Sequence, residues 1–240
     1  ANRPLALGAR VLNVATLVSH HGAADERPFA AARALCRRLC PDPRVHAQPL
    51  YGFNDWYYQY TGCTAASTLR DAELLARLTA GLPNRPFCVI DAGWQVHSWT
   101  GGPHEPAPDK DFKAYGMAEL AAALRQRNVK PGLWVRVTNT KDPALVPANT
   151  SRKGDGDSTL IDPSHEVNRE AIRATMRRVV EEWGYDLVKV DFSGYDIMGR
   201  WGWQMPRRAT SAETLPFVRE DLTTAEVMTM FYRDLREGAG

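Results

Sequence analysis

The sequence predicts an α/β fold of the (β/α)8 TIM-barrel type, with only the first four βα units present in these 240 residues. Short extended runs alternate with helical patterns four times after residue 48, an order typical of a parallel sheet covered by helices. The ends of these runs carry charged and aromatic side chains, where barrels collect their chemistry. No GxGxxG or P-loop pattern follows any run, which disfavours a doubly wound nucleotide-binding sheet.

The first two units each pair one extended run with one helix. The first run spans residues 50–56, and its helix begins at Ser67 and Thr68 and ends at Gly81. The second run spans residues 87–91, and a long loop separates it from its helix. The apolar positions that predict a buried stripe on the two helices are Leu69, Leu74, Leu75, Leu78, Met117, Leu120 and Leu124.

The last two units repeat this order. The third run covers residues 130–137 and continues through a polar loop to Asp162-Pro163, which suit the start of a helix. The fourth run is followed by a long loop, after which Thr223 and Glu226 predict a capping box. The four runs are therefore expected to be adjacent parallel strands in chain order, at residues 50–56, 87–91, 131–137 and 186–191.

Residues 1–48 differ from this pattern and are predicted to be a lead-in segment rather than a complete domain. Residues 11–18 are compatible with a strand, and residues 28–40 predict a short helix that Pro41 stops. Residues 49–240 then form the amino-terminal half of a TIM-barrel domain. A half-barrel exposes two long sheet edges, which natural chains avoid, so a fragment of a longer protein or a truncated reading frame is expected.

The composition excludes several classes of partner. The 30 basic and 28 acidic residues are mixed along the chain and leave a net charge of +2, so neither nucleic acid nor a membrane is expected as a partner. No apolar stretch approaches the roughly 20 residues that a membrane helix needs. The four cysteines lack metal-ligand spacing, so no metal or other cofactor is predicted. The compartment and the oligomeric state, including a homo-oligomer, stay open.

The carboxyl ends of the four runs carry the candidate site residues. They are Asp55, Trp56, Asp91, Trp94, Trp134, Arg136, Lys189 and Asp191. Each also has a structural explanation, because aspartate at a strand end often caps the next helix and tryptophan often fills a barrel mouth. Together they favour a polar ligand, since aromatic faces pack on sugar rings and charged side chains hydrogen-bond sugar hydroxyls. A carbohydrate is therefore the expected substrate.

Two charges end the fourth run. Lys189 and Asp191 are two residues apart, so their side chains point to the same face of the strand. A nearby ammonium group favours an ionised carboxylate, and the lysine can also bond a sugar hydroxyl. The alternative is that the two residues form an internal salt bridge with no part in function.

Four short motifs follow one another on the predicted strands. They read YGFNDWY at residues 51–57, VIDAGWQ at 89–95, PGLW at 131–134 and KVDF at 189–192. In this order they resemble the G-x-N-x-W, D-D-G-W-Q, G-L-W and K-x-D motifs of the α-galactosidase group of retaining glycosidases, which is glycoside hydrolase family 36 and its clan. The resemblance covers about residues 48–237.

This resemblance implies a glycoside hydrolase that cleaves terminal α-linked sugars by a retaining double displacement, without a metal or cofactor. It implies that Asp191 is the nucleophile of a catalytic barrel domain. The substrate-binding residues that it implies are Asp55, Trp56, Asp91, Trp94, Trp134, Arg136 and Lys189. In the family the acid/base carboxylate lies on a later strand, so it is expected outside this chain, and the chain alone is expected to show little activity.

Two departures from the family pattern bear on the substrate. The second aspartate of D-D-G-W is Ala92 here, which leaves the sugar open. Arg136 stands where many relatives place an acidic residue, and it either binds a differently substituted sugar or pairs with a local carboxylate. Two other functions stay open: a carbohydrate-binding remnant without catalysis, and a barrel lyase or aldolase that uses Lys189 as a Schiff-base amine. Trp201 and Trp203 form either a sugar-stacking platform or a packed cluster.

Overall fold

The computed structural model describes residues 6–13, 16–96, 108–140, 151–153, 159–198 and 217–240. The chain divides into two compact units, a smaller one of residues 7–50 and a larger one that includes residues 51–240. None of the described helices combines the length and the apolar character that crossing a bilayer requires. Within the same residues, no three His, Cys, Asp or Glu side chains are grouped so that they could hold a metal ion.

Parallel strands form the centre of the larger unit. The described strands are β1 (Gly52–Asn54), β2 (Phe87–Ile90), β3 (Lys130–Val135), β4 (Asn139–Thr140), β5 (Ser151–Lys153), β6 (Thr159–Ile161) and β7 (Leu187–Val190). Four of them form one parallel sheet in the order β1-β2-β3-β7. This order confirms the predicted pairing of the four extended runs. β1 and β7 are the edge strands of the described sheet.

A second, small sheet lies between β3 and the next helix, where the sequence indicated only a polar loop. β6 pairs antiparallel with β4 on one side and with β5 on the other. These strands are two or three residues long and rich in polar side chains, so they carry almost none of the hydrophobic alternation that predicts a strand. The register of the small sheet places Asn139 opposite Leu160.

Helices occur in both units of the chain. The described α-helices are α1 (Pro28–Leu39), α2 (Trp56–Gln59), α3 (Ala65–Leu78), α4 (Lys110–Tyr115), α5 (Met117–Gln126), α6 (Glu166–Arg177), α7 (Ser193–Met198) and α8 (Thr224–Ala239). A capping box of Thr64 and Ser67 begins α3 slightly earlier than predicted, and the predicted box of Thr223 and Glu226 begins α8. Each box satisfies backbone N–H groups that the first helical turn leaves without a partner.

The buried face of α3 differs from the predicted leucine stripe. Ala65, Thr68 and Ala72 are buried at helical spacing, whereas Leu74 and Leu78 are 49% and 74% exposed. Small side chains allow the helix to approach the sheet closely, so its inner face is built from alanine and threonine. Leu69 and Leu75 pack at the margin of the core, and Leu74 and Leu78 remain outside. These last two leucines line a shallow depression of about 240 Å³ beside β1.

The main core lies between the sheet and helices α5, α6 and α8. Ile90 and Leu133 from the sheet, together with Ile172 from α6 and Phe231 from α8, are completely buried. α6 and α8 approach so closely that a Cβ atom on Gly238 would lie 2.5 Å from the carbonyl oxygen of Arg173. The apolar side chains of these two helices therefore face the interior.

A buried ion pair joins α6 to α8. Asp234 is fully buried and accepts two hydrogen bonds from Arg169, with Nε–Oδ2 and Nη2–Oδ1 distances of 2.8 and 3.0 Å. Arg173 donates a third through Nη1 to Oδ1 at 2.6 Å. Glu166 and Glu170 pair with the arginines on the more exposed side. Two arginines one turn apart on α6 thus hold a single carboxylate of α8.

The cysteines fall into a buried and an exposed pair, and all four are free thiols. Cys63 and Cys88 are buried, and burial raises the pKa of each thiol to about 12. The sulfur of Cys63 lies 4.0 Å from the carbonyl oxygen of Asp91, directly after β2. Cys36 and Cys40, in contrast, are exposed at the end of α1.

The smaller unit contains one of its two predicted elements. α1 coincides with the predicted helix at residues 28–40, and its first residue is Pro28, a favoured position for proline. The predicted strand at residues 11–18 is wrong in the part that the structure describes, because residues 11–13 and 16–18 form no strand. Val11 and Leu17 are 90% and 94% exposed there, so their apolar character does not reflect pairing in a sheet.

Candidate functional site

A cleft of about 370 Å³ opens at the carboxyl ends of β2, β3 and β7. Its lining residues are Trp56, Tyr57, Asp91, Ala92, Trp134, Lys189, Asp191 and Phe192. The structure therefore brings together Trp56, Asp91, Trp134, Lys189 and Asp191 of the predicted site residues. It places Asp55, Trp94 and Arg136 outside this lining. The cleft combines aromatic faces with charged groups.

Asp191 is held by one N–H donor on each carboxylate oxygen. The indole Nε1 of Trp134 donates to Oδ2 at 2.9 Å, and the backbone N–H of Phe192 donates to Oδ1 at 2.8 Å. Its own N–H donates to the carbonyl of Val135 at 3.0 Å, which extends the β3–β7 pairing by one residue. The orientation of this carboxylate is thus fixed from two sides while it faces the cleft.

Phe192 has a backbone conformation that is unusual for a bulky residue. Its φ angle is +60°, in the left-handed region that residues other than glycine and asparagine seldom adopt. α7 begins at the next residue, so Phe192 forms the sharp turn between the strand and this helix. Such conformations persist only where surrounding contacts hold them, and they concentrate at functional sites.

Lys189 faces the same cleft as Asp191, as the two-residue spacing predicts, but its ion pair is with the neighbouring strand end. Its Nζ atom lies 2.7 Å from Oδ2 of Asp91. Asn54 donates to the same oxygen at 2.7 Å, and the N–H of Ala92 donates to Oδ1 at 2.8 Å. Asp91 is buried, whereas the lysine side chain is 40% exposed, so the ammonium group also reaches the solvent of the cleft.

Asp55 lies beneath the cleft and not in its lining. It is buried, and its Oδ1 atom accepts the backbone N–H of Asp91 at 2.8 Å. Burial raises the pKa of this carboxyl group from its ordinary value of 3.8 to about 6, and the nearby charge of Asp91 adds to the increase. The role that the geometry gives Asp55 is to hold the end of β2 next to β1.

Replacing Asp55 by asparagine should stabilise the protein at neutral pH. A raised pKa means that the folded state binds the proton more tightly than the unfolded chain, so the stabilisation from this group is lost as pH rises from 3.8 through about 6. Asparagine keeps an acceptor oxygen for Asp91 and carries no charge. The variant should gain about 2 kcal/mol over the wild type between pH 4 and pH 8, measured by urea unfolding.

The control for this experiment is Asp186→Asn, which removes an aspartate that is exposed and paired with Arg125. Its stability difference from the wild type should change little over the same pH range. A difference between Asp55→Asn and the wild type that stays constant from pH 4 to pH 8 would contradict the assigned pKa shift of Asp55.

Trp94 packs in the core and does not reach the cleft. Its ring is fully buried, its Nε1 atom donates to the carbonyl of Trp134 at 2.8 Å, and its edge meets the ring of Trp183 at 5.8 Å. The preceding Gly93 has a φ of +127°, and a Cβ atom there would lie 2.8 Å from the backbone of Thr61. The glycine and tryptophan of this motif therefore shape the strand end.

Arg136 forms a buried ion pair with Asp196 of α7. Its Nε and Nη2 atoms lie 2.9 and 2.6 Å from the two carboxylate oxygens, and the hydroxyl of Thr138 donates to Oδ2 at 2.6 Å. Both charged side chains are almost completely inaccessible to solvent. Of the two alternatives that the sequence left open for Arg136, the structure shows the pairing with a local carboxylate.

Several residues of the cleft were not among the predicted site residues. Asn54 bonds Asp91 directly, while Tyr57, Ala92 and Phe192 line the cleft. Asn54 and Tyr57 stand inside the first sequence motif and could have been found there. Phe192 carried no signal, because its importance comes from a backbone angle. Trp201 and Trp203 lie outside the residues that the structure describes.

The fold and the cleft define a parallel α/β protein with a polar, aromatic-lined cleft at its strand ends. No family profile matches the sequence, and no curated protein matches it. Solved structures do resemble its fold. The α-galactosidase TtGalA from Thermus thermophilus, in complex with p-nitrophenyl α-D-galactopyranoside, is similar with 23% sequence identity and a TM-score of 0.57. That match covers 88% of this chain and 40% of the other.

Two further α-galactosidase structures are similar. AgaA from Geobacillus stearothermophilus, of glycoside hydrolase family 36, has 18% identity and a TM-score of 0.52, over 80% of this chain and 26% of that one. The enzyme from Lactobacillus brevis has 17% identity and a TM-score of 0.52, over 79% of this chain and 24% of that one. At these identities the likeness establishes the fold, and the chain spans less than half the length of each of these proteins.

Proposed function

We propose that this chain supplies the nucleophile side of the active site of a retaining glycosidase that acts on terminal α-linked sugars. The observation that carries the proposal is the setting of Asp191, which faces the cleft at the end of a parallel strand with an N–H donor on each carboxylate oxygen. The likeness to α-galactosidase structures supports it. Residues 49–240 would then be the amino-terminal half of a TIM-barrel catalytic domain, and residues 1–48 its lead-in.

The chemistry that this site supports is a double displacement. One oxygen of Asp191 attacks the anomeric carbon, and the glycosidic C–O bond breaks as a glycosyl ester forms. The leaving oxygen takes a proton from a second carboxyl group. Water, which gives a proton back to that group, then attacks the anomeric carbon and releases Asp191 with the configuration retained. Trp134 and Phe192 keep the attacking carboxylate in its orientation, which lowers the entropic part of the barrier.

The cleft lining determines which sugar would fit. Asp91 and Lys189 are placed to hydrogen-bond hydroxyls of the terminal ring, and Trp56 offers an aromatic face to its apolar side. Ala92 lines the same cleft, so a methyl group stands where the family pattern has a second carboxylate. One hydroxyl of galactose would therefore lose an acceptor, and the preferred sugar is expected to differ from galactose at that position.

The second carboxyl group of the reaction would come from outside these 240 residues. Among the described lining residues the only other carboxylate is Asp91, and its oxygens already accept hydrogen bonds from Lys189, Asn54 and Ala92. β7 is an edge strand of the described sheet and borders a groove of about 660 Å³ whose lining includes Val188 and Val190. A further parallel strand at this edge would cover the groove and bring its own residues to the cleft.

Two other functions differ in how well they fit. A carbohydrate-binding remnant without catalysis is favoured by the same observation, since Asp91, the other carboxylate of the described lining, accepts hydrogen bonds at both oxygens. A Schiff-base enzyme is disfavoured, because the Lys189 ammonium forms an ion pair with Asp91 at 2.7 Å. Attack on a carbonyl group would require the Lys189 nitrogen to leave this ion pair.

The proposal is tested by covalent labelling with 5-fluoro glycosyl fluorides of galacto and gluco configuration. Fluoride leaves with little protonation, so the 240-residue chain should be labelled slowly without help from a second carboxylate. Mass-spectrometric peptide mapping should locate the glycosyl ester at Asp191, and the same chain should barely hydrolyse unactivated glycosides. Sugar binding without any labelling would favour the binding remnant. Rapid hydrolysis of unactivated substrates would show that the second carboxylate lies within this chain.

A further inference from the structure

We propose that Arg136 is a positioning residue that fixes the nucleophile Asp191 through the peptide and the ring of Phe192. This inference rests on the proposed function, because it assigns Arg136 a part in keeping the attacking carboxylate in place. It replaces the substrate-binding role that the sequence suggested for Arg136, since that guanidinium is buried and lies outside the cleft lining. Three successive contacts connect Arg136 to Asp191.

The first contact anchors the guanidinium itself. Asp196 accepts from two nitrogens of Arg136, and Thr138 completes the hydrogen bonding of one carboxylate oxygen. A planar guanidinium held at two points cannot rotate, which sets the plane of the group. Burying such a pair does not by itself make a protein more stable than an apolar cluster of the same volume would. Its position beside the proposed catalytic strand end therefore needs a further explanation.

The second contact connects this pair to Phe192. The Arg136 Cζ atom lies 4.2 Å from the centre of the Phe192 ring, within the range of a stacked cation–π contact. The N–H of Asp196 also donates to the carbonyl of Phe192 at 2.8 Å. The guanidinium thus contacts the ring of Phe192, and the backbone N–H of Asp196, whose side chain belongs to the ion pair, holds the Phe192 carbonyl. These contacts account for a bulky residue that keeps a φ of +60°.

The third contact reaches the nucleophile. The backbone N–H of Phe192 donates to Oδ1 of Asp191 at 2.8 Å, and its direction depends on the backbone angles of Phe192. If the ring and the carbonyl were released, Phe192 would relax towards negative φ and its N–H would turn away. Among the described residues, Trp134 would then be the remaining donor to the carboxylate, and the carboxylate could rotate about the bond that carries it.

Two variants test this chain of contacts from opposite ends. Arg136→Met removes the stacked guanidinium. It also removes the ion-pair partner of the buried Asp196, so this variant is expected to be less stable. Phe192→Leu keeps the ion pair and removes only the ring, which makes it informative even if Arg136→Met does not fold. Arg127→Met is the matched control, because Arg127 pairs with Glu73 on the surface.

The first measurement needs no activity. In nitrogen-15 NMR spectra of the folded chain, the Phe192 amide should exchange with solvent at least about tenfold faster in both variants, and the Trp134 indole resonance should move. The second measurement is the rate of labelling by the fluoro-glycoside that labels the wild type. It should fall at least about tenfold in both variants, while the dissociation constant for the sugar changes less than about threefold in Arg136→Met, whose guanidinium lies outside the cleft lining.

The outcomes separate this inference from the proposed function. If the wild type is not labelled at Asp191, the proposed function fails, and the NMR measurement still decides whether Arg136 positions that side chain. Unchanged Phe192 exchange and an unchanged Trp134 resonance in folded Phe192→Leu would overturn the inference. Equal losses of sugar binding and labelling in Arg136→Met would also overturn it, because that pattern indicates general disruption of the cleft.

Discussion

Replacing Asp191 by asparagine should abolish covalent labelling by fluoro-glycosides and reduce turnover in any form that carries the second carboxylate by roughly 10³-fold or more. The amide has nearly the shape of the carboxylate but cannot form a glycosyl ester with the anomeric carbon. Its carbonyl oxygen can still accept the N–H of Trp134 or of Phe192, so the local fold should persist. Sugar binding, measured by isothermal titration, should change less than about tenfold.

Asp186→Asn is the matched control for this experiment. Asp186 stands just before the same strand, at the opposite end, where it is exposed and pairs with Arg125. Its replacement should leave labelling and binding unchanged. Undiminished labelling of Asp191→Asn, at another carboxylate of the cleft, would move the nucleophile to that residue. Loss of sugar binding together with labelling would instead make Asp191 a ligand of the sugar.

Asp234→Asn should lower the free energy of unfolding by about 3 kcal/mol. The substitution removes the negative charge that Arg169 and Arg173 share, and it turns an NH2 group towards one of the two guanidinium groups. Both arginines keep some solvent access, which limits the loss. Urea unfolding monitored by tryptophan fluorescence measures it.

Glu170→Gln serves as the comparison, because it removes a carboxylate of the same network that is largely exposed. Exposed ion pairs contribute little, so this variant should lose less than about 1 kcal/mol. Equal losses in the two variants would show that burial does not distinguish these carboxylates. Since neither residue touches the cleft lining, both variants should retain the labelling at Asp191 when folded.

The sheet could be predicted from the sequence because its signals are local and repeated. The run at 87–90 is continuous and apolar, the run at 187–190 is apolar except for Lys189, and the capping box at Thr223 marks a helix start without any tertiary information. The inner face of α3 could not be predicted in the same way. Leucine outranks alanine in any hydrophobic pattern, yet the close approach of helix to sheet selected Ala65 and Ala72 for burial.

The same distinction between local and tertiary signals applies to the candidate site. Asp91, Lys189 and Asp191 are charged residues at the ends of apolar strands, and such residues can be found by reading the chain alone. Arg136 carries the same signal, and yet its partner Asp196 lies sixty residues later in a helix whose approach to β3 no local pattern reveals. Chemistry that depends on a strand end could be predicted, while the pairing of two distant charges required the fold.

The buried and the exposed thiols differ in their sensitivity to oxidants. Sulfenylation and glutathionylation require a thiolate, and the raised pKa values of Cys63 and Cys88 keep these sulfurs protonated at physiological pH. Cys36 and Cys40 are open to solvent on the smaller unit and would be modified first. The sulfur beside the Asp91 backbone therefore stays reduced for as long as the strand end remains folded.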